Sequence, residues 1–141
     1  MMRYILDTDH VSLAQRGQPH VAARIAAISP KQLTVSIITV QEQLRGRLAQ
    51  VQRAHNSADL VFAYNLLHKT FTFYSTIPII DFDERAAVVM DDLRQRKIRI
   101  GTLDLRIAAI TLAAGATLVT RNRRDFERVP ELAIQDWSVP V

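Results

Sequence analysis

Residues 101–126, GTLDLRIAAITLAAGATLVTRNRRDF, predict an apolar helix that leads directly into a strand. Asp104–Ala114 is the helix, and Gly115 is suited to cap its C-terminus. The run Thr117–Thr120 then predicts a short strand. Asp125 follows that strand within a few residues. A helix that feeds a strand in this way is the repeating unit of an α/β fold.

The same alternation runs through the rest of the chain. Other strands are predicted at Arg3–Asp7, Leu33–Ile37 and Ile77–Phe82, with Ala133–Gln135 as a candidate fifth strand. Other helices are predicted at His10–Arg16, Val21–Ile28, Thr39–Arg53 and Asn56–Phe73, and a further one after Asp83 as its N-cap. The pattern predicts one domain, residues 1–141, with a three-layer α/β/α fold. Its central sheet is mainly parallel and has four to five strands, with helices on both faces.

Two of these helices have apolar residues at helical spacing. In the first, the stripe consists of Val40, Leu44, Leu48 and Val51. In the second, it consists of Leu60, Ala63, Tyr64, Leu67 and Phe71. Phe62 and Leu66 form a second apolar edge on that longer helix, and we expect this edge to serve a dimer contact.

Composition excludes several classes of protein. The chain has no cysteine, so disulfides and thiolate metal sites are excluded. No apolar run approaches the 18 residues of a membrane span, and Asp7 and Asp9 interrupt any signal-peptide core. The sequence therefore predicts a cytoplasmic protein without a membrane segment.

The positive charge favours a polyanionic partner. The net charge is +4, and residues 85–128 carry 10 basic and 5 acidic groups. Most basic residues are arginines, which bind phosphate in a bidentate manner. The candidate phosphate contacts are Arg94, Arg96, Lys97 and Arg99, and then Arg121, Arg123, Arg124 and Arg128. Solvated surfaces with local ion pairs explain each of these residues equally well.

Five acids lie near positions that a parallel sheet would bring together. Asp7 and Asp9 follow the first strand, Glu42 follows the second, Asp104 begins the apolar helix, and Asp125 follows the fourth strand. In such sheets, ligands bind at the carboxyl ends of the strands. Carboxylates that converge there would repel one another unless a divalent cation such as Mg²⁺ or Mn²⁺ joined them.

Each acid also has a structural explanation. Asp9 and Asp104 are good N-cap candidates, and Asp125 suits a capped turn. Glu42 could pair with Arg45 on an exposed surface. Asp7 is the hardest to explain in this way, because it ends an apolar strand directly.

Other common catalytic motifs do not occur in the sequence. The four histidines, His10, His20, His55 and His68, have neither HxxxH nor HExxH spacing. Four glycines cannot build a Walker or dinucleotide loop, and there is no G-x-S-x-G elbow.

Several segments together resemble the PIN-domain ribonucleases, especially the VapC-type toxins of bacterial toxin–antitoxin pairs. They are YILDTD at 4–9, SIITVQEQLRG at 36–46, the long segment at 100–130, and LAIQDW at 132–137. The resemblance implies an endoribonuclease that uses one or two Mg²⁺ or Mn²⁺ ions and cleaves structured RNA such as tRNA. It also implies an antitoxin partner, with a peptide that covers the cleft, and a homodimer.

The resemblance also assigns residues. It implies that Asp7, Glu42, Asp104 and Asp125 are catalytic and bind the metal. Thr120 and Asn122 match supporting polar positions. Position 9 is often asparagine in the family, and Asp9 adds a charge there.

Two other functions remain open at this point. The first is a haloacid-dehalogenase-type phosphohydrolase, in which Asp7 is the nucleophile and Asp9 the acid/base. Only Lys31, Lys69 and Lys97 are available for the lysine that this chemistry needs, and none is well placed. The second is a non-catalytic RNA-binding module with a PIN-like fold.

Overall fold

A five-stranded parallel sheet forms the centre of the molecule. The computed structural model describes residues 1–140. The strands are β1 (Tyr4–Leu6), β2 (Leu33–Ser36), β3 (Ile79–Ile80), β4 (Thr117–Val119) and β5 (Ala133–Gln135). Their order is β3-β2-β1-β4-β5, and all four pairings are parallel. The predicted α/β/α fold with a parallel sheet is confirmed, and β1 is its central strand.

Helices cover both faces of this sheet. They are α1 (Thr8–Gln15), α2 (Pro19–Ala26), α3 (Ile37–Arg53), α4 (Ser57–Tyr74), α5 (Glu84–Gln95), α6 (Thr102–Ala114) and α7 (Arg123–Phe126). Successive side chains of a strand point to opposite faces, so β1 supplies Ile5 to one core and Leu6 to the other. Ile5 packs with residues of α5 and α6, such as Leu93 and Ile107. Leu6 packs with residues of α1 and α2 and with Trp137.

Four of the five strands are shorter than the sequence indicated, whereas β5 has the predicted bounds. β1 ends at Leu6 because Asp7 is already the N-cap of α1, where its side chain accepts the Thr8 N–H. β2 ends at Ser36 because Ser36 caps α3, which begins two residues earlier than predicted. β3 has only two residues because it lies at the edge of the sheet and pairs with β2 alone.

The helix α6 also begins earlier than predicted. Its N-cap is Gly101, so Asp104 lies inside the first turn and is not the cap. Its C-terminus is as predicted, because Gly115 adopts a left-handed conformation with φ of 62°. The predicted cap of α5, Asp83, is confirmed by a hydrogen bond from the Ala86 N–H.

The apolar stripes noted in the sequence of α3 and α4 face the core only in part. On α3, Leu48 is 53% exposed, and the buried residues are Ile38, Thr39 and Gln43. On α4, the buried residues are Ala63, Thr70 and Tyr74, while Leu60, Tyr64 and Phe71 are exposed. Polar contacts explain the difference: Tyr74 donates to Gln43 at 2.7 Å, and Arg47 donates to Thr70 at 3.0 Å.

Candidate active site

Asp7 directly follows the carboxyl end of the central strand β1 and is the N-cap of α1. Its backbone N–H bonds the Val119 carbonyl at 2.9 Å, which ties it to β4. One carboxylate oxygen accepts the Thr8 N–H at 2.8 Å, and the other accepts the Thr120 hydroxyl at 2.7 Å. The residue is only 6% exposed. Asp7 is therefore a buried carboxylate fixed by two donors.

The surroundings of Asp7 oppose its negative charge. Burial is the main reason why its pKa is raised from 3.8 to about 7, and repulsion from Asp9 adds to this effect. The hydrogen bonds from Thr120 and Thr8 lower the pKa without cancelling the increase. A positive charge bound here would therefore be strongly favoured.

Glu42 reaches the same edge from α3. Its Oε1 accepts the Thr8 hydroxyl at 2.9 Å, and Thr8 also contacts the Thr39 hydroxyl at 3.2 Å. Glu42 is half-buried, whereas the suggested partner Arg45 is exposed. The pairing of Glu42 with Arg45 is not among the ion pairs of residues 1–140. Thr8 thus connects the first residue of α1 to the acid of α3.

Asn122 joins the remaining two acids. It caps α7, and its side-chain amide lies 3.2 Å from Asp125 Oδ2 and 3.5 Å from Asp104 Oδ2. Burial raises the pKa of Asp104 above its usual range. Neighbouring negative charges raise it further, and they belong to Glu42, Asp125 and Asp9. The acids that follow β1 and those on α3, α6 and α7 are therefore close enough to repel one another.

The structure thus brings every predicted acid to one edge of the sheet. We call this set the acidic cluster: Asp7, Asp9, Glu42, Asp104 and Asp125. Thr120 and Asn122, the supporting polar positions that the family resemblance implied, lie among them. Asp9, Asp104 and Asp125 are not N-caps, since those positions are held by Asp7, Gly101 and Asn122.

The donor set fits a hard divalent cation. All its side-chain ligands are oxygens, which Mg²⁺ and Mn²⁺ prefer. None of Asp7, Glu42, Asp104 and Asp125 forms an ion pair with an arginine or lysine within residues 1–140. Across the same residues, no three carboxylate or imidazole side chains lie close enough to hold an ion as they stand. An ion here would need side-chain adjustment and water ligands, which Mg²⁺ usually keeps.

The basic residues fall into two places. Arg121, Arg123 and Arg124 directly follow β4 and therefore lie beside the acidic cluster. The second group lies at the end of α5 and in the segment that leads to α6; it comprises Arg94, Arg96, Lys97 and Arg99. Two of these arginines form local, exposed ion pairs, Arg96 with Asp92 and Arg123 with Glu127. Such pairs contribute little and leave both side chains available.

Sequence reasoning did not find three residues that support the cluster. Thr8 was not singled out, because a threonine at a helix start has no distinctive spacing. His10 was set aside for lack of a metal-binding motif, yet it is fully buried beside Asp9. The backbone of Trp137, from beyond β5, contacts that histidine. Contacts this distant in sequence leave no local signal.

The chain is similar to known proteins over nearly its whole length. The profile of the family described as PIN domain matches residues 4–132. Ribonuclease VapC2 of Rickettsia felis is 30% identical, and the match covers 97% of this chain and 99% of that protein. The tRNA(fMet)-specific endonuclease VapC of Salmonella typhimurium is 28% identical, with the same coverage of both chains.

Solved structures agree with the sequence comparison. VapBC-1 of nontypeable Haemophilus influenzae superposes with a TM-score of 0.78 at 24% identity, over 98% of this chain and 100% of that chain. DNA-bound VapBC of Salmonella typhimurium gives 0.78 at 25% identity, over 97% and 99%. Among residues 1–140, no helix combines the length and apolar character needed to cross a membrane.

Proposed function

The chain belongs to the PIN-domain family and groups there with the VapC ribonucleases, and on that premise we propose that it is a metal-dependent endoribonuclease toxin. The observation that carries the proposal is the acidic cluster at the carboxyl edge of the parallel sheet. Membership of this family argues against the haloacid-dehalogenase alternative, and the presence of all four acids argues against an idle RNA-binding module. In this proposal residues 1–141 form one domain.

We assign the metal to Asp7, Glu42, Asp104 and Asp125, with Mg²⁺ or Mn²⁺ as the ion. Such an ion supplies an activated water and neutralises charge on a phosphodiester. Thr8 and Thr120 hold two of the carboxylates through hydroxyl donors. The Asn122 side-chain N–H groups face both Asp104 and Asp125 and so offset part of the repulsion between them. The chain thus keeps the acids oriented before an ion arrives.

The substrate is proposed to be structured RNA, such as tRNA, in the cytoplasm. Names of the relatives support this class, since one is a tRNA(fMet)-specific endonuclease. Arg121, Arg123 and Arg124 would contact phosphates beside the acidic cluster. The group from Arg94 to Arg99 would hold the RNA backbone farther along. Such contacts position the strand, while RNA shape selects it.

An antitoxin protein is the proposed partner. An apolar groove of about 360 Å³ lies on the side of α1 and α2, lined by Ala14, Ile25, Ile28, Phe73 and Ile77. A peptide with apolar side chains would fill it. A further part of the same partner would cover the cleft and place a basic side chain among the carboxylates. A homodimer through α4 is also proposed, with Phe62 and Leu66 as the contact suggested by sequence.

An RNA cleavage assay tests the enzymatic proposal. Purified protein is incubated with total tRNA and Mg²⁺ or Mn²⁺, and new fragments are expected. EDTA, Asp104→Asn and Asp125→Asn should each reduce cleavage to background. The control is Asp92→Asn, whose carboxylate is exposed and pairs with Arg96. Cleavage that persists in EDTA would contradict the proposal.

A further inference from the structure

His10 is a buried titratable residue that the proposed reaction does not use. Its side chain is 0% exposed, whereas His20, His55 and His68 lie on the surface. It sits on the first turn of α1, directly behind the acidic cluster. A buried imidazole needs a partner for each ring nitrogen, and both partners are present here.

The hydrogen bonds fix the tautomer of His10. The backbone N–H of Trp137 donates to Nε2 at 3.0 Å, so Nε2 must carry a lone pair. The proton is therefore on Nδ1, which donates to Asp9 Oδ1 at 2.7 Å. Asp136 Oδ1 lies 3.4 Å from Nε2, but it already accepts both the N–H and the hydroxyl of Ser138. A neutral imidazole thus connects the segment after β5 to Asp9, because it accepts from the Trp137 N–H and donates to Asp9.

Asp9 uses its second oxygen to hold the turn after β4. Oδ2 accepts the Arg121 N–H at 3.1 Å and lies 3.4 Å from the Thr120 hydroxyl. Thr120 bonds Asp7 and also accepts the Asn122 N–H at 3.0 Å. The turn 120–122 therefore contacts Asp7 on one side and is held by Asp9 on the other.

We propose that His10 is a positioning residue, which orients Asp9 so that Asp9 fixes the turn 120–122 against the carboxylates. Asp9 in this arrangement braces the site and does not bind the ion. The inference rests on the proposed function, because the contacts from His10 through Asp9 to the turn 120–122 would raise the affinity of the site for its metal ion.

The arrangement couples positions 9 and 10. A carboxylate at position 9 accepts from His10 with one oxygen and from Arg121 with the other. An asparagine offers only one oxygen, so one of these two donors would lose its acceptor. With His10 present, Asp9→Asn should therefore disturb the turn although it keeps the shape of the side chain.

Two substitutions separate the two contacts of His10. In His10→Asn, the amide nitrogen can take the place of Nδ1 and donate to Asp9, but the side chain is too short for Trp137. In His10→Gln, the amide oxygen can accept from Trp137, but no donor faces Asp9. The stability control is Thr34→Val, which removes a buried hydrogen bond to the Tyr4 carbonyl far from the turn.

Titration calorimetry with Mn²⁺ alone is the first measurement. Loss of a remote partner of a metal site lowers affinity by about 10-fold at the low end, and we expect this for His10→Gln and for Asp9→Asn. The Mn²⁺ affinity of His10→Asn should remain close to that of the wild type, although the variant should unfold at a lower denaturant concentration. Thr34→Val should behave in the same way. Equal losses in His10→Asn and His10→Gln, or wild-type affinity in His10→Gln, would overturn the proposal. The proposal would also be overturned if Asp9→Asn lost all Mn²⁺ binding while His10→Gln bound Mn²⁺ normally, because Asp9 would then be a metal ligand.

Nuclear magnetic resonance of the metal-free protein gives a readout that needs neither metal nor RNA. Imidazole nitrogen shifts should show His10 neutral with its proton on Nδ1. The amide signals of residues 120–122 should move in His10→Gln and stay in place in His10→Asn. A neutral His10 with its proton on Nε2, or unmoved amide signals in His10→Gln, refutes the positioning role. Failure of the wild type to bind Mn²⁺ or cleave RNA, with these shifts as expected, would refute the proposed function alone.

Discussion

Asp7 carries an unfavourable charge when the protein is folded and free of metal. Its pKa is 3.8 in a solvated chain and about 7 in the folded protein, mainly because of burial. Between these values the folded state binds more protons than the unfolded state, so stability falls as the pH rises from about 4 to about 7. At about 1.4 kcal/mol per pKa unit, the total effect is at most about 4 kcal/mol.

The first prediction follows from that charge. Asp7→Asn removes the burial penalty and keeps a good N-cap for α1. Without metal, the variant should therefore be more stable than the wild type at pH 8, by up to about 4 kcal/mol. The difference should vanish near pH 4, where Asp7 is protonated. Denaturant unfolding in EDTA at several pH values measures it, and a difference that does not change with pH would contradict the argument.

The second prediction concerns the threonine that holds Glu42. Thr8→Val keeps the size of the side chain but removes the hydroxyl that donates to Glu42 Oε1 at 2.9 Å. Metal affinity should fall by about 10-fold, the lower range for a residue that orients a ligand. Thr8→Ser retains the donor and is the matched control. Mn²⁺ titration of both proteins gives the comparison, and equal affinities would show that the hydroxyl is dispensable.

Sequence reasoning located the acids of the site better than their partners. Asp7, Asp9, Glu42 and Asp125 could be expected together because parallel strands bring their carboxyl ends to one edge, and this needs no knowledge of contacts. Asp104 lies at a helix start, and the choice of Asp7, Glu42, Asp104 and Asp125 as metal ligands came from the family resemblance. Their donors could not be found in this way. Thr8 bonds a residue 34 positions away, and Trp137 bonds His10 across 127 positions. Such distances are set by the completed fold.

At the scale of single elements, caps and edges explain where sequence-based boundaries were wrong. The start of α6 was placed at Asp104 because aspartate is a common N-cap, whereas the cap is Gly101, which makes no side-chain hydrogen bond. A glycine cap leaves no distinctive side chain to read. β3 was predicted over six residues from its apolar character, but an edge strand extends only as far as its one neighbour pairs with it.

The third prediction compares two glycines that sit in different elements. Gly115 ends α6 with φ of 62°, where a side chain is strained. Gly46 lies exposed inside α3, and nothing lies within 4 Å of an added Cβ. Gly115→Ala should therefore destabilise the protein by about 1 kcal/mol. Gly46→Ala should stabilise it by about 0.5–1 kcal/mol, since alanine favours helices. Denaturant unfolding measures the change in stability of both variants. Two changes of the same sign would refute the different backbone roles given to Gly115 and Gly46.

At the scale of the whole molecule, opposite charges occupy adjoining surfaces. The chain carries a net charge of +4, yet five of its 14 acids gather at one edge of the sheet. Arg121, Arg123 and Arg124 follow the same strand end and flank that edge. A phosphodiester chain would be attracted by the arginines and repelled by the bare carboxylates. Binding of a divalent ion removes the repulsion, so RNA affinity and metal binding should reinforce each other.

The helix α4 carries large apolar side chains that remain exposed in the single chain. Phe62 and Phe71 are 65% and 69% exposed. They are nine residues apart and so point to opposite sides of the helix. Leu66, the predicted neighbour of Phe62, is half-buried, whereas Phe71 shares its side with exposed Leu60 and Tyr64. A contiguous patch of this kind marks an interaction surface, so the side of Phe71 offers the larger dimer contact.

The fourth prediction uses those two phenylalanines as a matched pair. Phe71→Ser should convert the proposed dimer to a monomer, because it replaces the most exposed apolar side chain of the patch by a polar group. Phe62→Ser removes a similar exposed area on the opposite side of α4 and should leave the dimer intact. Size-exclusion chromatography with light scattering at micromolar concentration measures both. A monomeric wild type would contradict the dimer itself. A dimer that persists in Phe71→Ser and is lost in Phe62→Ser would show that the contact is made by Phe62 and Leu66, as the sequence alone suggested.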